Sequence, residues 1–153
     1  MYKSKLTMKE TQKAIKIVKD NFETQDLYFK VSDKAIIDFT LIEKNYIPIG
    51  NTNNNFNGFF DGSNIKMNVL IDSNKDYQGI FGVVGKYAVI ENMNLTGKVK
   101  GLNYTGMLAG LNKGKLNNIF IDSAEINGLD NVGSVAGSST FEATNISVKS
   151  NVL

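Results

Sequence analysis

The sequence predicts an all-β fold: a right-handed parallel β-helix (solenoid) of about four coils with an N-terminal α-helix cap. Three observations predict it. A short glycine-bracketed phrase recurs, with leading glycines at Gly79, Gly106 and Gly133, so both intervals are 27 residues. A fixed interval of that size marks stacked repeats, each burying its apolar face against the next. An asparagine also recurs just before apolar alternation: Asn92 before Met93 and Leu95, Asn118 before Ile119 and Ile121, Asn145 before Ile146 and Val148. Asn68, before Val69 and Ile71, reads as the same position in an earlier, shorter coil. Third, a further strand pattern closes two of the coils, at Val99 and at Ile126.

The elements follow in order. Thr7 and Glu10 fit a capping box, and Ala14, Ile15, Val18 and Phe22 follow at helical spacing, so a helix is expected over about residues 8–22. Residues 1–26 are read as the helical cap and 27–153 as the repeats, in one compact domain. Lys9, Lys13 and Lys16 share another face of that helix, either solvated or anion-binding. From Leu27 the pattern turns to short β-branched and aromatic strands around Tyr28–Val31 and Ala35–Ile42. Pro48 is the only proline, and Asn51–Asn55 has loop composition. Phe60-Asp61-Gly62 then reads as a turn. In each coil, alternation sends Met93 and Leu95, Ile119 and Ile121, and Ile146 and Val148 into stacked interior columns. The coil glycines supply φ > 0 at corners or let backbones approach closely. The recurrent asparagines are expected to bond backbone at a corner and to stack as a ladder.

Composition narrows the chemistry. A 42% apolar and 21% charged chain of 153 residues suits one folded domain. A net charge of +2 is too mild to imply nucleic acid or membrane. All 17 basic residues are lysine, so the bidentate fork that reads guanine or phosphate is missing. Neither histidine nor cysteine occurs, which excludes histidine-assisted nucleophiles, thiolates, disulfides and His/Cys zinc sites. No apolar run is long enough for a membrane-spanning helix. The basic N-terminus leads into a polar amphipathic stretch, unlike a signal peptide.

Motifs of the kinds that carry chemistry elsewhere read here as architecture. Gly79-Ile80-Phe81-Gly82-Val83-Val84-Gly85 lacks the spacing and following helix of a dinucleotide loop, and it echoes at 106 and 133. Asp33 with Asp38, Asp72 with Asp76, and Asp122 with Glu125 lie close in sequence. A glycosidase or lyase needs two such acids converging on one cleft, and turn acids are ordinarily solvated. Three glycosylation-like triplets, at Asn94, Asn103 and Asn145, are no more than a chain with 20 asparagines gives by chance.

The repeats resemble the GLUG motif of bacterial surface proteins. The matching residues are Gly79-Ile80-Phe81-Gly82, Gly106-Met107-Leu108-Ala109-Gly110 and Gly133-Ser134-Val135-Ala136-Gly137. The lead-in is similar too: strand Tyr28–Val31, then Ile47-Pro48-Ile49-Gly50, then Phe60-Asp61-Gly62. The resemblance covers about residues 27–153, with Ser134 departing where a large apolar residue is usual. Such repeats occur in adhesin-like surface proteins and in the non-catalytic region of immunoglobulin A-cleaving metallopeptidases. The resemblance implies a parallel β-helix with a binding or spacer role and no protease activity, since a His-Glu-x-x-His zinc site needs histidine.

The functional expectation is a non-enzymatic surface interaction or spacer module, needing no cofactor, metal or catalytic residue. It would bind a protein or glycan, without nucleic acid or membrane insertion. The alternatives are a small intracellular protein-binding inhibitor of the mobile-element type and a carbohydrate-active β-helix enzyme. Location follows: extracellular or on a bacterial surface if the chain is part of a larger secreted protein, cytoplasmic if it is complete. The candidate interaction surface comprises Asn53, Asn55, Phe56, Tyr77 and Tyr104, with Phe59 as a further aromatic, and the C-terminal edge at Val152 and Leu153. Residues 150–153 remain in strand pattern without a polar cap, so further coils, a partner or an end-to-end homodimer through the C-terminal coil would cover that edge.

Overall fold

A computed structural model describes residues 28–32, 37–39, 46–140 and 142–153. The expected N-terminal helix and its lysine face lie outside the described residues. The described chain is a parallel β-solenoid of about four turns, as expected. It opens with β1 (Tyr28–Lys30), β2 (Ile37–Asp38), β3 (Phe59–Asp61), β4 (Lys66–Asp72) and β5 (Phe81–Val84). The next coil carries β6 (Val89–Lys100), β7 (Asn103–Gly106) and β8 (Ala109–Asn112). Then come β9 (Lys115–Asn127), β10 (Asp130–Gly133), β11 (Ala136–Ser139) and β12 (Ala143–Val152).

Every strand pairing is parallel. One sheet stacks β4, β6, β9 and β12, a second β5, β8 and β11, and a third pairs β7 with β10. Register fixes which side chains share an interior column. Met93 faces Ile119, which faces Ile146. Met67, Leu95, Ile121 and Val148 form the next column. Ile71, Val99, Ile126 and Val152 form a third. The middle coils of these columns are buried completely or nearly so. Each such side chain contributes roughly 1.5–3 kcal/mol by leaving water.

The two sequence periodicities mark two different corners. At the first, Asn92, Asn118 and Asn145 take left-handed backbone, with φ of 57°, 57° and 53°. Asparagine tolerates that region because its short polar side chain bonds locally. At the second, the left-handed residues are Tyr77, Tyr104 and Asn131, with φ of 56°, 59° and 53°. The repeat glycines stand two residues further on and serve close approach, the second of the two roles expected. A Cβ on Gly79 would lie 2.8 Å from the Gly106 carbonyl oxygen, and one on Gly106 would lie 2.6 Å from Ala136 Cα.

One reading along the ladder is corrected. Asn68 pairs in register with Thr96, and its Nδ2 donates to Asp38 Oδ1 at 3.1 Å. The left-handed corner of the earlier coil is Asn64 (φ 56°), after Ser63 (φ 56°). Four residues, 62–65, oppose the two residues Asn92 and Met93 there. A second irregularity lies in β9, where an added residue near Ser123 (φ 54°) shifts register against β6 and β12.

Candidate functional site: the C-terminal coil edge

The columns that bury Ile119, Ile121 and Ile126 in β9 continue into β12, where nothing among the described residues lies above them. Ile146 is half-buried, whereas Val148, Val152 and Leu153 are 40%, 47% and 63% exposed. The last coil holds a mainly apolar hollow of about 350 Å³, lined by Leu116, Val135, Ala136, Ala143, Ile146 and Val148 together with Ser134 and Ser139. Among the described residues β12 pairs on one side only, with β9. Its other edge offers a row of backbone donors and acceptors over ten residues. The expected edge residues Val152 and Leu153 therefore lie together at the end of a strand that, among the described residues, is paired only with β9.

The last coil is more polar inside than those beneath it. Ser134 occupies the place of the buried Ile80 and Met107, and its hydroxyl lies 2.5 Å from that of Ser150. Lys115 and Glu142 pair at 3.7 Å on the rim.

The asparagine corner reaches this edge as a directional chain of side-chain hydrogen bonds. Asn145 Nδ2 donates to Asn118 Oδ1 at 3.0 Å. Asn118 Nδ2 donates to Asn92 Oδ1 at 2.8 Å and approaches Asn64 Oδ1 at 3.3 Å. Asn92 Nδ2 donates to Asp61 Oδ1 at 3.0 Å. An ionised carboxylate, which only accepts, thus closes the chain at its first rung. Asp61 is 6% exposed. Burial raises its pKa, but hydrogen bonds from Asn92, the Ser63 N–H and Tyr28, together with Lys30 at 4.0 Å, bring it below the usual carboxylate value. The sequence reads Asp61 only as part of a turn; an acid three residues before Asn64 is the available signal.

The other expected contact residues lie elsewhere. Tyr77 and Tyr104 are half-buried, their rings stacked at 4.7 Å and 2°. Asn53 is exposed in a turn held by Asn51 Oδ1, which accepts from the Asn53 and Asn54 N–H groups, each at 2.9 Å. Asn55 is half-buried, with an Oδ1 that has no partner among the described residues. Phe56 is corrected as a contact residue: it is fully buried, 5.0 Å from Phe81 and 6.1 Å from Phe29 by ring centroids. Phe59 stacks at 4.7 Å on Tyr28.

The neighbouring acids have local partners. Asp72 pairs with Lys100 and Glu125 with Lys98, each at 3.8 Å. Asp76 accepts from the Asn103 N–H, and Asp122 from Ser123. Asp33 lies outside the described residues. Among the described residues no three potential metal ligands of the His, Cys, Asp and Glu types gather, and no helix is long and apolar enough to cross a membrane. No family model, curated protein or solved structure matches the chain significantly.

Proposed function

We propose that this protein is a non-enzymatic interaction module, and that its contact surface is the open edge of the C-terminal coil. The observation that supports this most is the exposure of Val148, Val152 and Leu153 on a strand paired along one side only. A bare strand edge with apolar side chains is adhesive, and proteins that keep one unprotected generally use it. The likeness to GLUG repeats supports the same reading, with right-handed winding, as parallel crossovers take. It extends it to a binding or spacer segment of a bacterial surface protein, with a protein as the ligand of the edge. A strand edge selects a polypeptide over a glycan, because its donors and acceptors are spaced for backbone.

Light scattering across a concentration series tests this. In isolation the adhesive edges are expected to cover one another, so the mass rises above 16.8 kDa with concentration. Val152→Lys, which sets a charge on the edge, is expected to hold the chain as a monomer. A strict monomer at high concentration, unaltered by Val152→Lys, contradicts the reading.

A further inference from the structure

We infer that Asp61 is an acid-released clasp: ionised, it holds β1 onto the solenoid, and its protonation frees β1 while the later coils stay folded.

Four donors converge on this carboxylate. The Ser63 N–H and Asn92 Nδ2 reach Oδ1, at 2.8 and 3.0 Å. The Tyr28 hydroxyl and Lys30 Nζ reach Oδ2, at 3.3 and 4.0 Å. The two oxygens therefore hold different parts of the fold. Oδ1 fixes the corner and the asparagine ladder, and Oδ2 fixes β1. That strand is only three residues long, and among the described residues it pairs with β3 alone. Its middle residue, Phe29, packs on the core, and its two flanking side chains both end on one oxygen of Asp61. Beyond these, β1 is tied by the Val31 N–H on the Asp61 carbonyl at 2.9 Å, the Ser63 hydroxyl on the Val31 carbonyl, and the Tyr28 ring on Phe59. An end strand with so few attachments belongs to the low end of local stability, where two side-chain bonds decide whether it is held.

Protonation turns an acceptor-only group into one that carries an O–H. Lys30 has only donors, so a proton on Oδ2 meets a donor and the charge attraction ends. Oδ1 still accepts from Ser63 and Asn92. The titratable groups around Asp61 are Tyr28 and Lys30 from β1 and Glu91 from β6, which is in register with it and partly exposed. Asp61 is the only buried acid among the described residues. The acids of β9, Asp122 and Glu125, are partly exposed, whereas Ile119, Ile121 and Ile126 beside them form buried apolar columns. Acid therefore acts on the first strand before the later coils. Hydrogen bonds and Lys30 hold the Asp61 pKa below the usual carboxylate value, so the clasp opens only in acid stronger than that. Opening bares the edge of β3 and the side of Phe56 on which Phe29 packs.

The test is a pH titration of the full chain followed by NMR, from neutral down to about pH 2.5, below the ordinary carboxylate range. The amide signals of residues 28–31 are expected to change with the midpoint of the Asp61 carboxyl carbon, while those of Ile119, Ile121 and Ile126 keep their folded positions. Signals of β1 that stay unmoved through that midpoint overturn the inference. Loss of the β1 and β9 signals together overturns it too, in favour of global unfolding. The parent chain is used throughout, so the folding of a variant does not decide the result. Lys30→Met is expected to raise the Asp61 midpoint toward the ordinary 3.8, which packing alone would not do, and an unmoved midpoint contradicts the clasp. Asp61→Asn at neutral pH is expected to speed amide exchange at Val31 about tenfold and to leave β9 unaltered. Unchanged exchange at Val31 contradicts it as well.

Discussion

Asn118 Nδ2 donates to Asn92 Oδ1 across 2.8 Å, one coil to the next, while both residues hold left-handed backbone at the same corner. The two facts depend on each other. The left-handed turn brings successive amides into line, and the hydrogen bonds offset part of the cost of that backbone. Replacing Asn118 should therefore show both contributions. Asn118→Ala is expected to cost about 2 kcal/mol, from the lost ladder bonds and the left-handed alanine. Asn118→Gly keeps the backbone and is expected to cost roughly half as much. Urea unfolding of the two variants beside the parent measures the difference.

The second corner gives an independent check of left-handed backbone. Tyr104 has φ 59°, and the equivalent residue one coil later is Asn131. Tyr104→Asn is expected to lose only the ring stack on Tyr77, about 1 kcal/mol. Tyr104→Val is expected to lose more, by about another 1–2 kcal/mol, because a β-branched residue is strained there. Equal losses in thermal unfolding would argue against the left-handed assignment.

Asp61 supplies a pH dependence with a definite sign. Its folded pKa lies below the ordinary value of 3.8. Its contribution to stability is therefore fully present above about pH 4 to 5, and is lost as pH falls through the folded pKa. Asp61→Asn is expected to lower stability at neutral pH and to flatten the acid side of the stability profile. An unchanged acid limb would remove Asp61 from the account.

Much of this was legible because it repeats. The interior columns from Met93 to Ile146 and from Leu95 to Val148 follow from period-two alternation placed at a near-constant interval. The asparagine ladder follows from the same interval in three of its four rungs. The fourth was misplaced at Asn68 because residues 62–65 add length at that corner, and counting back along the chain finds the wrong asparagine. Tyr77 and Tyr104 gave no sign of left-handed backbone, since tyrosine rarely adopts it; only Asn131 did. Phe56 follows five polar residues, so composition leaves contact and core packing both open, and it fills the core against Phe81. Tertiary packing, which local composition does not report, decided that residue. Of the candidate site, the edge at Val152 and Leu153 is visible as strand pattern, but the donation from Asn145 to Asn118 needs the hydrogen-bond geometry.

Close approach at the repeat glycines gives a fourth expectation. A Cβ on Gly106 would sit 2.5 Å from the Ala109 oxygen and 2.6 Å from Ala136 Cα, both backbone atoms that cannot move aside alone. Gly106→Ala is expected to be destabilising by about 2 kcal/mol or more, despite the usual gain from replacing glycine. A neutral effect on the thermal midpoint would show that the coils can separate at this corner.

The open edge itself is tested most directly by amide hydrogen exchange along β9 and β12 in dilute protein. Amides of β9 are expected to be protected throughout, because β9 is paired on both sides. In β12, the alternate amides that point away from β9 are expected to exchange at nearly unprotected rates. Protection of every β12 amide in the monomer, equal to that of β9, would mean that the edge is already covered, and would contradict the account.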